Sequence, residues 1–239
     1  MMASLKIGCC GFPVVKTTYI DRFQVVEVQQ TFYQPPKIST MQNWRALMPD
    51  YFEFTLKAWQ IITHTAKSPT YRRLKTKLTA EEFGQCGAFQ NTPIVHCAWE
   101  TTRACAKALS ASLILFQCPA SFMPTPQNLS EMREFFNSIE RGDLKLLWEP
   151  RGNWPENLVL SLCNELKLVH VVDPFLSRSV TPDFVYLRLH GGNNFKHIFS
   201  DEELRMISRL IPADKPAYVM FNNINMWDDA RRFQLLMGN

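Results

Sequence analysis

Phe184-Val185-Tyr186-Leu187-Arg188-Leu189-His190-Gly191-Gly192 reads as a strand with two different faces. Side chains alternate along a strand, so Val185, Leu187 and Leu189 share one face and Tyr186, Arg188 and His190 share the other. An apolar face of this kind is covered by helices. The polar face then points to an interior that accepts charge near one end, and the double glycine frees the backbone for a tight turn. Such a strand is expected in a (β/α)8 TIM-type barrel, where polar groups gather at the C-terminal strand tips.

Seven more short apolar runs repeat the theme: Leu5–Cys9, Val25–Gln29, Phe52–Lys57, Leu113–Gln117, Leu144–Glu149, Val169–Val172 and Ala217–Phe221. Near-continuous apolar content fits parallel strands buried on both faces. Helix signals lie between them. Ser39 with Gln42, Thr79 with Glu82 and Ser200 with Glu203 have capping-box spacing. Leu129, Met132, Phe135, Phe136 and Ile139 form a helical stripe that Gly142 can end. Pro155 suits the first turn of a helix running to about Leu166, and Ala230, Phe233 and Leu236 mark a last one. Strand–helix alternation implies a parallel sheet, and eight units favour a closed barrel over an open doubly wound sheet. The expected organisation is one α/β domain over residues 1–239, somewhat irregular. Its first helix is short (Thr18–Phe23), and a long β3–β4 connection, residues 58–112, is expected to supply a lid or substrate-binding loop.

Hydrophobic residues make up 46% and charged residues 20% of the chain, enough apolar content for a large core and against wholesale disorder. No apolar run is long enough to span a bilayer, and Met1–Gly8 is too short for a signal peptide. The 7 Cys are an odd number without Cys-x-x-Cys spacing. They read as reduced thiols of a cytoplasmic protein, and a structural zinc site is poorly supported. The net charge of +4 does not by itself imply nucleic acid. The stretch from Phe54 to Ala80 has no acid but contains Lys57, Lys67, Arg72, Arg73, Lys75 and Lys77, with Trp59 and Tyr71 among them. A solvated basic face is the simpler account of this run, and a surface tracking a phosphate backbone is the sharper one.

Polar residues accumulate at the strand ends. Glu27, Lys57, Glu149, Asp173 and His190 form the candidate catalytic set. Tyr33, Trp59, Gln117, Arg151, Arg188, Gly191, Asn222 and Asn223 are candidate ligand contacts. These charges could form a self-satisfied ion-pair network. Their supply from so many separate strand tips favours a ligand site. Glu27, Glu149, Asp173 and His190 offer hard metal ligands, yet Lys57, Arg151 and Arg188 repel a cation and suit a carboxylate or phosphate better. The sequence requires no cofactor, and a divalent metal stays an open alternative.

In order along the chain, several segments resemble the YecE-like family, catalogued as domain of unknown function 72. They are Gly8-Cys9-Cys10-Gly11-Phe12, Glu27-Val28-Gln29-Gln30-Thr31-Phe32-Tyr33, Phe52-Glu53-Phe54-Thr55-Leu56-Lys57, Leu115-Phe116-Gln117-Cys118-Pro119, Glu149-Pro150-Arg151, Asp173-Pro174, Tyr186–Gly191 and Phe221-Asn222-Asn223. The resemblance implies a TIM barrel over nearly the whole chain and carries no established reaction. Three readings stay open: an enzyme (hydrolase, lyase or isomerase) acting on a phosphorylated or sugar-like anion, a nucleic-acid-binding protein with or without phosphodiester cleavage, and a non-catalytic small-anion sensor. Oligomeric state is not legible here.

Overall fold

The computed structural model describes residues 5–192 and 195–238. Of the N-terminal segment Met1–Gly8, Met1–Ser4 lie outside the described residues. The strands are β1 (Leu5–Cys9), β2 (Val25–Val28), β3 (Glu53–Lys57), β4 (Leu113–Gln117), β5 (Lys145–Glu149), β6 (Leu168–Val172), β7 (Val185–Leu189) and β8 (Ala217–Phe221). They close into a barrel in the order β1-β2-β3-β4-β5-β6-β7-β8. The helices are α1 (Lys16–Ile20), α2 (Gln30–Tyr33), α3 (Ile38–Ala46), α4 (Gln60–Thr63), α5 (Ala80–Gly84), α6 (Pro93–Leu109), α7 (Pro126–Ser138), α8 (Glu156–Leu166), α9 (Asp201–Ser208) and α10 (Met226–Leu236), with a 3-10 turn at Pro69–Arg73. Among the described residues no helix is long and apolar enough to cross a membrane.

Two compact units emerge from the chain's internal packing. The first comprises Met1–Glu27, Pro49–Glu53 and Val169–Asn239, and the second Val28–Met48 and Phe54–Leu168.

In the first unit β1 pairs in parallel with β8 along its whole length, Leu5 opposite Ala217 through Cys9 opposite Phe221. The same strand pairs with β2 only at its end, with Gly8 opposite Val25. The short α1 suffices because Tyr19 ties three segments together. Its hydroxyl accepts from the Cys9 N–H at 2.7 Å and donates to the Val25 carbonyl at 2.8 Å. Phe12, Phe23, Phe52 and Trp227 pack around its fully buried ring. The α9 capping box at Ser200 and Glu203 forms as expected. Residues 173–184, which join β6 to β7, form no helix, so the outer face of these two strands lacks the cover that a βα repeat normally supplies.

In the second unit β4 pairs with β3 from Thr55 opposite Leu113, and with β5 from Leu113 opposite Lys145 to Gln117 opposite Glu149. Helix α6 occupies much of the long connection that was expected to form a lid. Thr92 caps it, Pro93 opens it, and Val95, Ala98, Trp99, Thr102 and Leu109 are buried along one face. Its four Ala favour the helix while its Thr, Cys and β-branched residues do not, and packing of the buried face adds to its stability. Trp99 stacks on Phe116, and Phe89, Phe122, Phe135 and Phe136 complete the aromatic core. The Thr79–Glu82 capping box forms at α5. The Ser39–Gln42 box does not: α3 begins at Ile38 behind Lys37, which makes no side-chain cap. Pro35-Pro36 hold the chain extended until Lys37, and the helix starts directly afterwards. Similarly, Gly142 lies beyond the end of α7, which stops at Ser138, and Pro155 precedes α8 as its N-cap.

Gly8 is the tightest point of β1. A Cβ there would sit 2.3 Å from the Val25 carbonyl oxygen, and backbone cannot yield as a flexible side chain can. Gly8→Ala is therefore expected to destabilise the fold by about 1–3 kcal/mol or more. Chemical denaturation of the variant against the parent protein checks it, and an unchanged midpoint would contradict this packing.

Candidate functional site

In the first unit, Glu27 on β2 and Arg188 on β7 are both fully buried. In the ring of strands β8 and β1 lie between β7 and β2, so these side chains meet through the barrel interior. Glu27 Oε1 accepts from Arg188 Nε at 3.1 Å and Nη2 at 2.8 Å, and Oε2 accepts from the Tyr186 hydroxyl at 2.8 Å. The polar face read from the sequence of β7 thus points inward. Cys10 joins this group, with its sulfur 3.6 Å from Arg188 Nη2. Burial first, then the Glu27 charge, pushes its thiol well above the ordinary value, so it stays protonated.

Arg188 Nη1 lies 3.4 Å from His190 Nε2, and the Asn222 side-chain amide lies 3.0 Å from His190 Nδ1. Arginine only donates, so Arg188 offers its proton to Nε2. Asp173 Oδ1 accepts from the Phe175 N–H at 3.0 Å. Its Oδ2 accepts from the N–H groups of His190 at 3.0 Å and Gly192 at 3.1 Å. Both Asp173 oxygens therefore hold the loops after β6 and β7, and the Gly192 amide is occupied by this carboxylate. Gly191 turns at φ +77°, where a Cβ would strike His197. Asn223 is fully buried, donating to the His197 carbonyl at 2.8 Å and to Asp229 at 2.6 Å. These contacts fix the turn into α10.

The second unit presents a different set. Lys57 ends β3, is buried, and holds its ammonium 3.6 Å from the centre of the Phe32 ring. The Thr31 hydroxyl donates to the Lys57 carbonyl at 2.7 Å. Glu149 ends β5, beside Gln117 at the end of β4. Glu149 is buried and binds Arg151, whose side chain is 40% exposed, through Nη2 at 2.9 Å. Trp59 and Gln60 follow Lys57. The indole N–H of Trp59 and the side-chain oxygen of Gln60 are buried without a hydrogen-bond partner among the described residues. Tyr33 carries the guanidinium of Arg73 at 3.6 Å above its ring.

His64, which lies outside the candidate residues read from the sequence, belongs with this set. Burial, then the charges of Lys57 and Arg151, lower its pKa from 6.5 to about 3. Its Nδ1 lies 2.8 Å from the Thr63 hydroxyl, and its ring meets Phe32 edge-on. Gly87, Ala88 and Phe89 all have positive φ, and their N–H groups donate to the carbonyls of Ile61, Thr63 and Ile62. A conformation uncommon for Ala and Phe is thus used to strap α4 in place behind His64. No sequence signal short of the fold points to this histidine. Among the described residues no three His, Cys, Asp or Glu side chains are grouped to hold a metal ion.

The fold and its polar strand tips define a TIM-barrel protein with buried charge at the C-terminal ends of its strands. Residues 17–239 match the family described as "Protein of unknown function DUF72", and the chain belongs to it. The UPF0759 protein YunF of Bacillus subtilis (strain 168) is 22% identical over 247 residues, covering 89% of this chain and 81% of that one. Among solved structures, the DUF72 family protein EF0366 of Enterococcus faecalis V583 superposes with a TM-score of 0.74 at 20% identity, over 99% of this chain and 98% of that one. The DUF72 family protein TM1631 of Thermotoga maritima MSB8 does so with a TM-score of 0.68 at 19% identity, over 98% and 99%. At these identities the structural likeness establishes the fold.

Two outcomes are expected. Glu27→Ala leaves Arg188 buried without its carboxylate and should cost about 3–5 kcal/mol. The pair Glu27→Leu with Arg188→Met should recover part of that loss in urea melts, and equal instability of both proteins would argue against charge burial as the cause. For His64 the folded pKa lies below the unfolded one, so its contribution is complete above about pH 6.5 and is lost as pH falls toward about 3. Stability should fall there by up to about 1.4 kcal/mol per pH unit from this group. In His64→Gln that slope should flatten, as denaturation midpoints across the range would register.

Proposed function

We propose that the protein binds a small anion, phosphorylated or carboxylate, at the tips of β3 and β5. The observation that carries this reading is the grouping of two cations, the buried Lys57 and the half-buried Arg151, around the buried His64, whose protonation is suppressed first by burial and then by those two charges. A neutral histidine, an ammonium and a partly exposed guanidinium together suit an anion with several oxygens. The partnerless indole N–H of Trp59 would supply a neutral donor, since buried polar groups are normally satisfied.

As an enzyme the site would use Glu149 for proton transfer, with Arg151 holding its carboxylate in place. Glu27 and Asp173 fit such a role less well, because Glu27 accepts from Arg188 and Tyr186, and both Asp173 oxygens accept backbone N–H groups. Hydrolysis, elimination and isomerisation of a phosphorylated or sugar-like compound all fit this chemistry. A second reading rests on a separate observation. Lys67, Arg72, Arg73, Lys75 and Lys77 are all exposed, and Arg73 lies over the Tyr33 ring, an arrangement that can follow a nucleic-acid backbone.

Melting temperatures with orthophosphate, sugar phosphates, divalent metal salts and short oligonucleotides test both readings. A phosphorylated compound at about one hundred times its dissociation constant should raise the midpoint by roughly 5–10 °C. That rise should vanish in Arg151→Ala and in Lys57→Met. A rise with oligonucleotides alone, lost when Arg73 and Lys75 become Glu, would replace the first reading with the second. No response to any anion would sink both.

A further inference from the structure

We propose that the outer face of β6 and β7 carries a binding site for a small amphipathic carboxylate, with its anionic end on Arg178. The site follows from the connectivity. Residues 173–184 cross from β6 to β7 without a helix, and the strands' outward side chains Val172, Val185 and Leu187 line a cavity of about 480 Å³. Met206 of α9 and Leu210 beyond it form the opposite wall. Both remain substantially exposed, at 38% and 49%, although each faces an apolar neighbour.

The size of the cavity selects among occupants. The cavity lies in the range of small-molecule sites, about 300–1,000 Å³. Apolar walls with a few convergent polar groups are the usual composition of such sites.

Charge completes the description of the ligand. Arg178 is the one charged residue lining the cavity, no acid accompanies it there, and Ser177 and Ser179 flank it. Arg178 makes no ion pair or hydrogen bond among the described residues. An apolar body would fill the space between the strands and α9, while a planar carboxylate would meet the guanidinium in the bidentate geometry that arginine favours. This site lies on the helix side of the strands and is independent of the anion site proposed at β3 and β5.

Isothermal calorimetry with decanoate, below its micelle concentration, tests the proposal, with decanol as the uncharged counterpart. Decanoate should bind with one site per chain and at least tenfold more tightly than decanol. Arg178→Ala should remove that preference while decanol binding persists. Met206→Trp, which fills the groove from an exposed helix position, should abolish binding of both. The proposal is overturned by any of four results: no decanoate binding, equal affinity for the two probes, binding indifferent to both substitutions, or decanoate binding lost in Arg151→Ala but kept in Met206→Trp. Sedimentation that shows a dimer broken by Leu210→Glu, without decanoate binding, would overturn it in favour of self-association.

Discussion

Arg188 and Glu27 are two full charges with no solvent contact, joined by two hydrogen bonds through the inside of a ring of strands. Removing such ions from water is costly, and only close geometry with every lone pair and proton engaged offsets it. Tyr186 occupies the second carboxylate oxygen, Cys10 packs against the guanidinium, and His190 accepts from its far edge. Each partner comes from a strand or strand end whose register is set by main-chain pairing. The pair consequently demands that β1, β2, β7 and β8 stand in one arrangement. A shift of one residue along β7 would turn Arg188 outward and leave Glu27 buried and alone. The apolar residues supply the driving force for collapse, while this charge pair penalises every wrong register.

The residues that hold the strand tips differ from those on which the proposed anion site rests. Asp173 has three N–H groups on its two oxygens, and Asn223 is tied to Asp229 and to the chain before α9. These side chains make loops rigid. Lys57 and Arg151 instead place charge beside the buried His64, and Trp59 adds a donor that no described residue satisfies. A ligand would stabilise the second group far more than the first.

Much of the fold was legible because parallel strands buried on both faces leave short apolar runs, and eight of these matched the observed strands to within a residue or two. The alternation in β7 was legible for the same reason, since period-two placement of Tyr186 and Arg188 has one sensible direction in a barrel. Capping boxes succeeded at Thr79 and Ser200, where the motif alone decides the helix start. At Ser39 the preceding Pro35-Pro36 override the motif. Helix α6 was legible too, since Thr92 and Pro93 open it, four Ala favour it and Val95, Ala98, Trp99, Thr102 and Leu109 fall at helical spacing, but the length of the connection pointed to a loop. The site was legible as a set of residue types but not as a division of labour. Whether a carboxylate is engaged by a guanidinium, by main-chain amides or by neither depends on loop geometry that spacing does not encode. His64 illustrates this limit, since strained backbone at Ala88 and Phe89 helps to position it.

The cysteines give the chain a built-in reporter. Six of the 7 are buried and only Cys97, on α6, is exposed. Burial lifts the thiols of Cys9 and Cys163 to about 12 and that of Cys105 to about 11, so the reactive thiolate is scarce in the closed structure. A thiol reagent would mark Cys97 at once and reach the others only when their surroundings open. Cys9 and Cys10 would time the parting of β1 from its neighbours, Cys118 the end of β4, and Cys163 the undocking of α8. The unmodified sequence thus carries probes of local opening in several elements, each read against the immediate reaction of Cys97.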